Sequence, residues 1–254
     1  MGTPVLIPFV ESTRLVCERS MTGATGNLYC GLHEFGDMGF LLHFLRPGDL
    51  FVDVGANIGS FSMLASGVVG AKSVAIEPVP SSFAALRRNI AVNGLEDMVE
   101  PLCVAAGPRS GRVRLSMDRG PENAPVGESY PGASAEFPMV SLDEVTENKC
   151  PVLLKVDAEG AEREVLEGAS ESLRNPTLKA VLLEGASGAI AGMMSRAGFA
   201  PACYAPMTRR LEVTESERRG SVWETLNFLW VRDEEFVRDR CSAARLFTVY
   251  GQSF

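Results

Sequence analysis

Histidine and tryptophan are both scarce in this chain, with two of each among 254 residues. Six cysteines (Cys17, Cys30, Cys103, Cys150, Cys203 and Cys241) occur without a CxxC pair or a Cys/His cluster, so the spacings that zinc sites and disulfide frameworks require are missing. They read as buried thiols of a protein kept in a reducing cytoplasm. Long apolar runs are also lacking. No stretch reaches the roughly 18 residues that a membrane helix needs, and the apolar start from Val5 to Val10 is broken by Pro8 with no basic segment before it. Leu6 stands where a myristoylation signal needs Ser or Thr. Positive charge is in deficit as well: 24 Lys and Arg against 32 Asp and Glu leave a formal charge of −8. That balance argues against nucleic acid or an anionic membrane as partner. The one basic stretch, Arg209-Arg210 with Arg218-Arg219, is interrupted by Glu212, Glu215 and Glu217 and reads as a solvated face of mixed charge.

An apolar content of 46% suits one sizeable core. From Leu50 to Glu184 a short β-rich run, a turn rich in Gly or acid, and a segment of helical spacing follow one another repeatedly. This alternation predicts βαβ crossovers and a mainly parallel sheet. Strands are expected at Leu50–Val54, Ser73–Glu77, Val99–Ala105, Val152–Val156 and Ala180–Leu183, with a sixth and a seventh in Phe199–Tyr204 and Leu226–Val231. Gly111-Arg-Val-Arg-Leu alternates like an added antiparallel strand, and the Gly- and Pro-rich stretch from Asp118 to Glu136 reads as a long loop. The helix after the second strand is expected to be capped by Ser81 and stopped by Gly94. Residues 1–45 read as an N-terminal layer or lid, 46–232 as the main domain, and 233–254 as a terminal helix and tail packed on it.

Ligands bind beyond the carboxyl ends of the strands in such sheets, and three expected strands end in an acid: Glu77, Asp157 and Glu184. The loop Asp53-Val-Gly-Ala-Asn-Ile-Gly59 supplies the tight strand-to-helix turn of a nucleotide site. It departs from the dinucleotide fingerprint, since Ala56-Asn57 replace the middle glycine and Asp53 would repel a diphosphate. A cationic sulfonium and ammonium would be favoured instead. Glu77, 24 residues beyond Asp53, is placed to accept hydrogen bonds from two ribose hydroxyls. Asn57 has two readings, contact with the carboxylate end of the cofactor or a helix cap.

These residues resemble the FkbM-type methyltransferases, a branch of the class I S-adenosylmethionine-dependent enzymes. The likeness lies in Phe51-Val-Asp-Val-Gly-Ala-Asn-Ile-Gly59, Ala75-Ile-Glu-Pro78, Ser141-Leu-Asp-Glu-Val145 and Leu154-Lys-Val-Asp-Ala-Glu-Gly-Ala-Glu162, and spans roughly Asn27 to Val231. It implies an α/β, Rossmann-like class I methyltransferase fold: a mainly parallel seven-stranded sheet with helices on both faces and an N-terminal extension. It further implies S-adenosyl-L-methionine contacts at Asp53, Gly55, Asn57, Gly59 and Glu77, with the adenine flanked by Pro78, Val104 and Ala105. Glu34 is expected near the methionine end of the cofactor. O-methylation of a hydroxyl on a small molecule (a secondary metabolite, polyketide or sugar) is the implied reaction, with N-methylation as the alternative.

An in-line methyl transfer needs alignment, and a base only where the hydroxyl must lose its proton early. The candidate bases are Asp157 and Glu159 at the fourth strand's end, and His33, histidine being the side chain that most readily exchanges a proton near neutrality. Asp157 and Glu184 would suit a Mg²⁺, but no third oxygen ligand is evident from the spacing, so a metal is not expected. A nicotinamide-dependent oxidoreductase and a non-catalytic binding module of the same fold are the wider alternatives.

Overall fold

The computed structural model describes residues 4–17, 22–120, 123–185, 187–216 and 227–254. The hairpin β1 (Val5–Pro8) and β2 (Arg14–Cys17) precedes α1 (Thr22–Cys30) and α2 (Phe35–Phe44). The crossover units begin with β3 (Leu50–Val54), α3 (Ser60–Met63), β4 (Lys72–Ile76), α4 (Pro80–Asn93) and β5 (Val99–Leu102). Next come β6 (Ala105–Ala106), β7 (Gly111–Ser116), β8 (Ser134–Val140) and α5 (Leu142–Val145). The chain returns through β9 (Leu153–Val156), α6 (Glu162–Glu167), β10 (Ala180–Leu183) and α7 (Gly188–Arg196). It ends with β11 (Ala200–Ala205), β12 (Arg210–Val213), β13 (Phe228–Val231), α8 (Glu234–Ser242), β14 (Thr248–Val249) and β15 (Gln252–Ser253).

The main sheet runs β12-β11-β13-β10-β9-β3-β4-β5, with β5, β4, β3, β9 and β10 parallel and the other three antiparallel. It contains the seven expected strands, with ends shifted by up to three residues, and an eighth, β12. The sequence hides β12 because Arg210 and Glu212 face solvent and only Leu211 between them is buried, so the strand reads as part of a charged surface. Of the basic stretch beside it, Glu217, Arg218 and Arg219 lie outside the described residues, as does Leu226.

The parallel strands are apolar almost throughout because both faces are covered. Alternation sends Val52, Val54, Leu154 and Val156 into one core cluster, with α6 and α7, while Phe51 and Leu153 join the other, with α2 and α3. Asp53 and Lys155 continue the Phe51 and Leu153 side, and the parallel register makes them direct neighbours. From β3 the chain winds outward to β4 and β5, then returns to the opposite side of β3 with β9. That reversal opens the crevice in which open α/β sheets bind ligands.

The alternating segment at 111–115 belongs to a separate three-stranded sheet, β6-β8-β7, not to the main one. Its partner β8 takes up Ser134, Ala135 and Glu136 from the stretch expected to be loop. Ser81 is not the cap of α4: Pro80, with its fixed φ and no N–H to satisfy, holds the first helical position, and Val79 precedes it. Gly94 ends that helix in the left-handed region, as expected. All six cysteines are free, but only Cys203 and Cys241 are buried. Cys30, Cys103 and Cys150 are exposed because they stand at the ends of α1 and β5 and just before β9, where the chain turns at the surface. Among the described residues no helix is long and apolar enough to cross a membrane.

Candidate functional site

Past Val54 the backbone turns sharply through Gly55 (φ 73°), Asn57 (φ 50°) and Gly59 (φ 88°) into α3. A Cβ on Gly55 would lie 1.8 Å from the carbonyl oxygen of Asp157, so only glycine lets β3 and β9 converge here. The N–H groups of Gly55 and Ala56 both donate to Ile76 O at 3.0 Å, tying the turn to the end of β4. Glu77, one residue further, is 6% exposed. Its Oε2 accepts from Asn57 N at 2.9 Å and its Oε1 from Val79 N at 2.8 Å. Burial pushes its carboxyl up to about 7, against those two bonds. The cap of α3 is Gly59, with no side-chain bond, so Asn57 does not cap the helix.

Asp53 is 1% exposed. Its Oδ2 accepts from Ser62 Oγ at 2.7 Å, while Oδ1 has no hydrogen-bond partner among the described residues. Burial raises its carboxyl above the usual range, opposed by Lys155 and by the Ser62 bond. Lys155 Nζ donates to Asp157 Oδ2 at 2.7 Å and lies 4.8 Å from the centre of the Phe61 ring. Burial works against this ammonium, but the charges of Asp157, Glu34 and Asp53 outweigh it and hold Lys155 above the ordinary lysine value.

Asp157 and Glu184 stand just past the adjacent ends of β9 and β10 and are hydrogen-bonded to each other. Burial and then the Asp157 carboxylate push Glu184 up to about 8, whereas Asp157, despite burial, is held low by Lys155 and by the bond from Glu184. The pair is thus asymmetric, with the ionised form favoured at Asp157 and the acid form at Glu184. Glu159 (φ 50°) and Gly160 (φ 94°) form the next turn, which Glu162 braces by accepting at Oε1 from Ala158 N and Gly160 N, both at 3.1 Å. One carboxylate oxygen from each of Asp157, Glu159 and Glu184 lies within 4.8 Å of the others. Glu159 is thus the third oxygen that the sequence spacing does not reveal.

Two cavities meet at this crevice. One, of about 140 Å³, is bordered by Glu77, Pro78, Ala105, Asp157 and Glu159, and is roofed by Val113 and Leu115 of β7 and by Pro125. The other, of about 70 Å³, is bordered by His33, Glu34, Asp53, Lys155 and Asn27. Gly55, Asn57 and Asp157 line both. Hydrogen bonds tie α1 and the turn after it to the wall of the smaller one: Asn27 Nδ2 donates to Ser60 Oγ at 3.0 Å, His33 N donates to Asn27 Oδ1 at 2.9 Å, and Asn227 Nδ2 donates to Glu34 Oε2 at 3.1 Å.

Of the residues singled out in the sequence, Asp53, Gly55, Asn57, Glu77, Pro78, Ala105, Glu34, His33, Asp157 and Glu159 line one or both cavities. Gly59, Val104 and Glu184 do not. Gly59 shapes the start of α3, and Val104 packs into the core beneath, because β5 stops at Leu102 and the chain turns before Ala105. Sequence reasoning missed Lys155, Ser62, Glu162 and Asn227. For Lys155 there was a signal, since counting back by two from Asp157 along a strand reaches the same face.

A family model described as Methyltransferase FkbM domain matches residues 53–199. The 31-O-demethyl-FK506 methyltransferase FkbM of Streptomyces tacrolimicus is 29% identical over 204 residues, covering 65% of this chain and 78% of that protein. Among solved structures, the crystal structure of Methyltransferase FkbM from Methylobacillus flagellatus KT superposes with a TM-score of 0.51 at 17% identity. That likeness covers 85% of this chain, which spans 56% of the solved one.

Proposed function

The chain belongs to the FkbM methyltransferase family, and from that premise we propose that it carries a methyl group from S-adenosylmethionine to a hydroxyl oxygen of a small molecule. The observation that carries this reading is the pair of buried acids at the two ends of one crevice. Glu77 has each oxygen fixed by one backbone N–H, which leaves lone pairs for two neighbouring hydroxyls such as those of a ribose. Asp53 keeps a buried oxygen without a partner beside the smaller cavity, the feature that an ammonium would satisfy. The glycine at position 55 gives the backbone room at the junction. These residues fit the cofactor, which when bound supplies a methyl group activated by a sulfonium.

Asp157 borders both cavities and so faces the place where donor and acceptor would meet. Held ionised by Lys155 and by the bond from Glu184, it accepts a hydrogen bond from an incoming hydroxyl, fixes the direction of its lone pair, and takes the proton as the methyl–oxygen bond forms and the methyl–sulfur bond breaks. Glu159, on the same border, is the second acceptor for that hydrogen bond, and His33 stands exposed at the rim of the smaller cavity. The hydroxyl as acceptor is supported by the Streptomyces relative, a methyltransferase named for a 31-O-demethyl compound.

Isothermal titration with S-adenosylhomocysteine, with NADH as control, tests the cofactor without knowledge of the acceptor. Micromolar binding of the first alone is expected; a folded sample that binds neither overturns the reading. Asp157→Asn, which keeps a hydrogen-bond acceptor for Lys155, is expected to leave that binding within about threefold while lowering methyl transfer at least ~100-fold in a screen of hydroxylated acceptors. Excess EDTA is expected to leave transfer unchanged, and its abolition would give the three acids a metal.

A further inference from the structure

Lysine is almost never fully buried unless something holds it there, yet the Lys155 side chain is 3% exposed. Among the described residues it is the one lysine or arginine lining the smaller cavity, where Asp53, Glu34 and Asp157 also stand. We propose that Lys155 binds the carboxylate of the cofactor's amino-acid end, opposite the Asp53 oxygen that receives its ammonium. The proposal rests on the S-adenosylmethionine reading above.

Two independent observations converge on it. An ammonium has three N–H donors, and among the described residues Lys155 makes a single hydrogen bond, to Asp157, with an aromatic face at 4.8 Å on another side. Donors therefore remain at the cavity wall. Its register partner Asp53 likewise keeps Oδ1 without a hydrogen bond, and no ion pair closes the space between them. They are register partners on adjacent strands and both border the smaller cavity, so a ligand carrying an ammonium and a carboxylate on one carbon can reach both. A zwitterion satisfies both at once. A lysine present only to neutralise Asp157 would have no reason to border the cavity or to stand beside an unsatisfied acid.

The test uses three ligands on the purified chain: S-adenosylhomocysteine, its analogue lacking only the carboxylate, and 5′-methylthioadenosine, which lacks both charged groups. On the parent, removing the carboxylate is expected to weaken binding about 10- to 100-fold, the range of a charge-assisted bond. In Lys155→Met that penalty is expected to vanish: S-adenosylhomocysteine binds as weakly as its carboxylate-free analogue, and methylthioadenosine binds as it does to the parent. Because Lys155→Met strands the Asp157 charge, the double variant Lys155→Met/Asp157→Asn is titrated beside it to keep the fold. Equal loss for all three ligands in a folded variant, or an unchanged carboxylate penalty, overturns the assignment. A parent that ignores the carboxylate overturns it without any variant. A parent that binds none of the three sinks the cofactor reading itself, a result distinct from those.

Discussion

Glu77 and Asp53 are both buried carboxylates just at the ends of neighbouring parallel strands, yet the chain treats them differently. Glu77 is held at both oxygens by backbone N–H groups of two loops, so its position is set by the main chain. Asp53 is held at one oxygen by a serine side chain and is left open at the other, with a lysine beside it on the next strand. The first arrangement suits neutral hydroxyls, which need a fixed acceptor. The second suits a charged group, because an incoming cation gains most from an acid that is desolvated and not yet satisfied. One end of the crevice is built for shape and the other for charge.

Gly55→Ala, where the two ends join, should abolish the distinction. Its Cβ would collide with the Asp157 carbonyl, and φ 73° strains any side chain, so every adenosyl ligand is expected to weaken more than ~100-fold by calorimetry. Glu77→Ala should separate the ends: S-adenosylhomocysteine and methylthioadenosine are expected to weaken together, by about 10- to 100-fold, because both carry the ribose. Loss confined to one of them would break the comparison.

The ionisation of Glu77 gives a third handle. Burial raises this carboxyl to about 7 in the folded chain, against an ordinary 4.5, so the native state holds the extra proton between those limits. Its contribution to stability is complete below the unfolded value and is lost as pH rises through the folded one. Denaturant melts from pH 5 to pH 8 should therefore show a fall in stability on the order of 3 kcal/mol from this group, which Glu77→Gln removes. The smallest effect is expected at the charged end. Ser62→Ala frees the second Asp53 oxygen and should change S-adenosylhomocysteine affinity by about two- to fivefold while leaving methylthioadenosine unchanged.

The parallel half of the sheet was legible because apolar runs ending in acids mark strands buried on both faces, and β3 and β10 begin and end where the pattern says. The charged edge was not: Arg210–Val213 has the composition of a solvated loop, and only pairing with β11 makes it a strand. In the site, acids at strand ends could be read directly. Lys155 was missed because lysine in a strand ordinarily points to water; counting back by two from Asp157 puts it on the acid's face, and the register against Asp53 shows that this face is turned inward. Val104 and Ala105 show the limit of counting. Where a strand stops early the alternation loses its phase, and Ala105 alone borders the crevice.

The Asp53 oxygen without a partner also bears on how this chain can be studied in a mixture. A native fold that leaves a buried acceptor unfilled carries a cost that a ligand relieves, so occupancy should register as resistance to heat. A compound present at a hundred times its dissociation constant adds about 2.7 kcal/mol, enough to move a melting curve by several degrees. Melting curves recorded with the cofactor product in place, against libraries of hydroxylated compounds, would then sort candidate acceptors before any turnover assay exists.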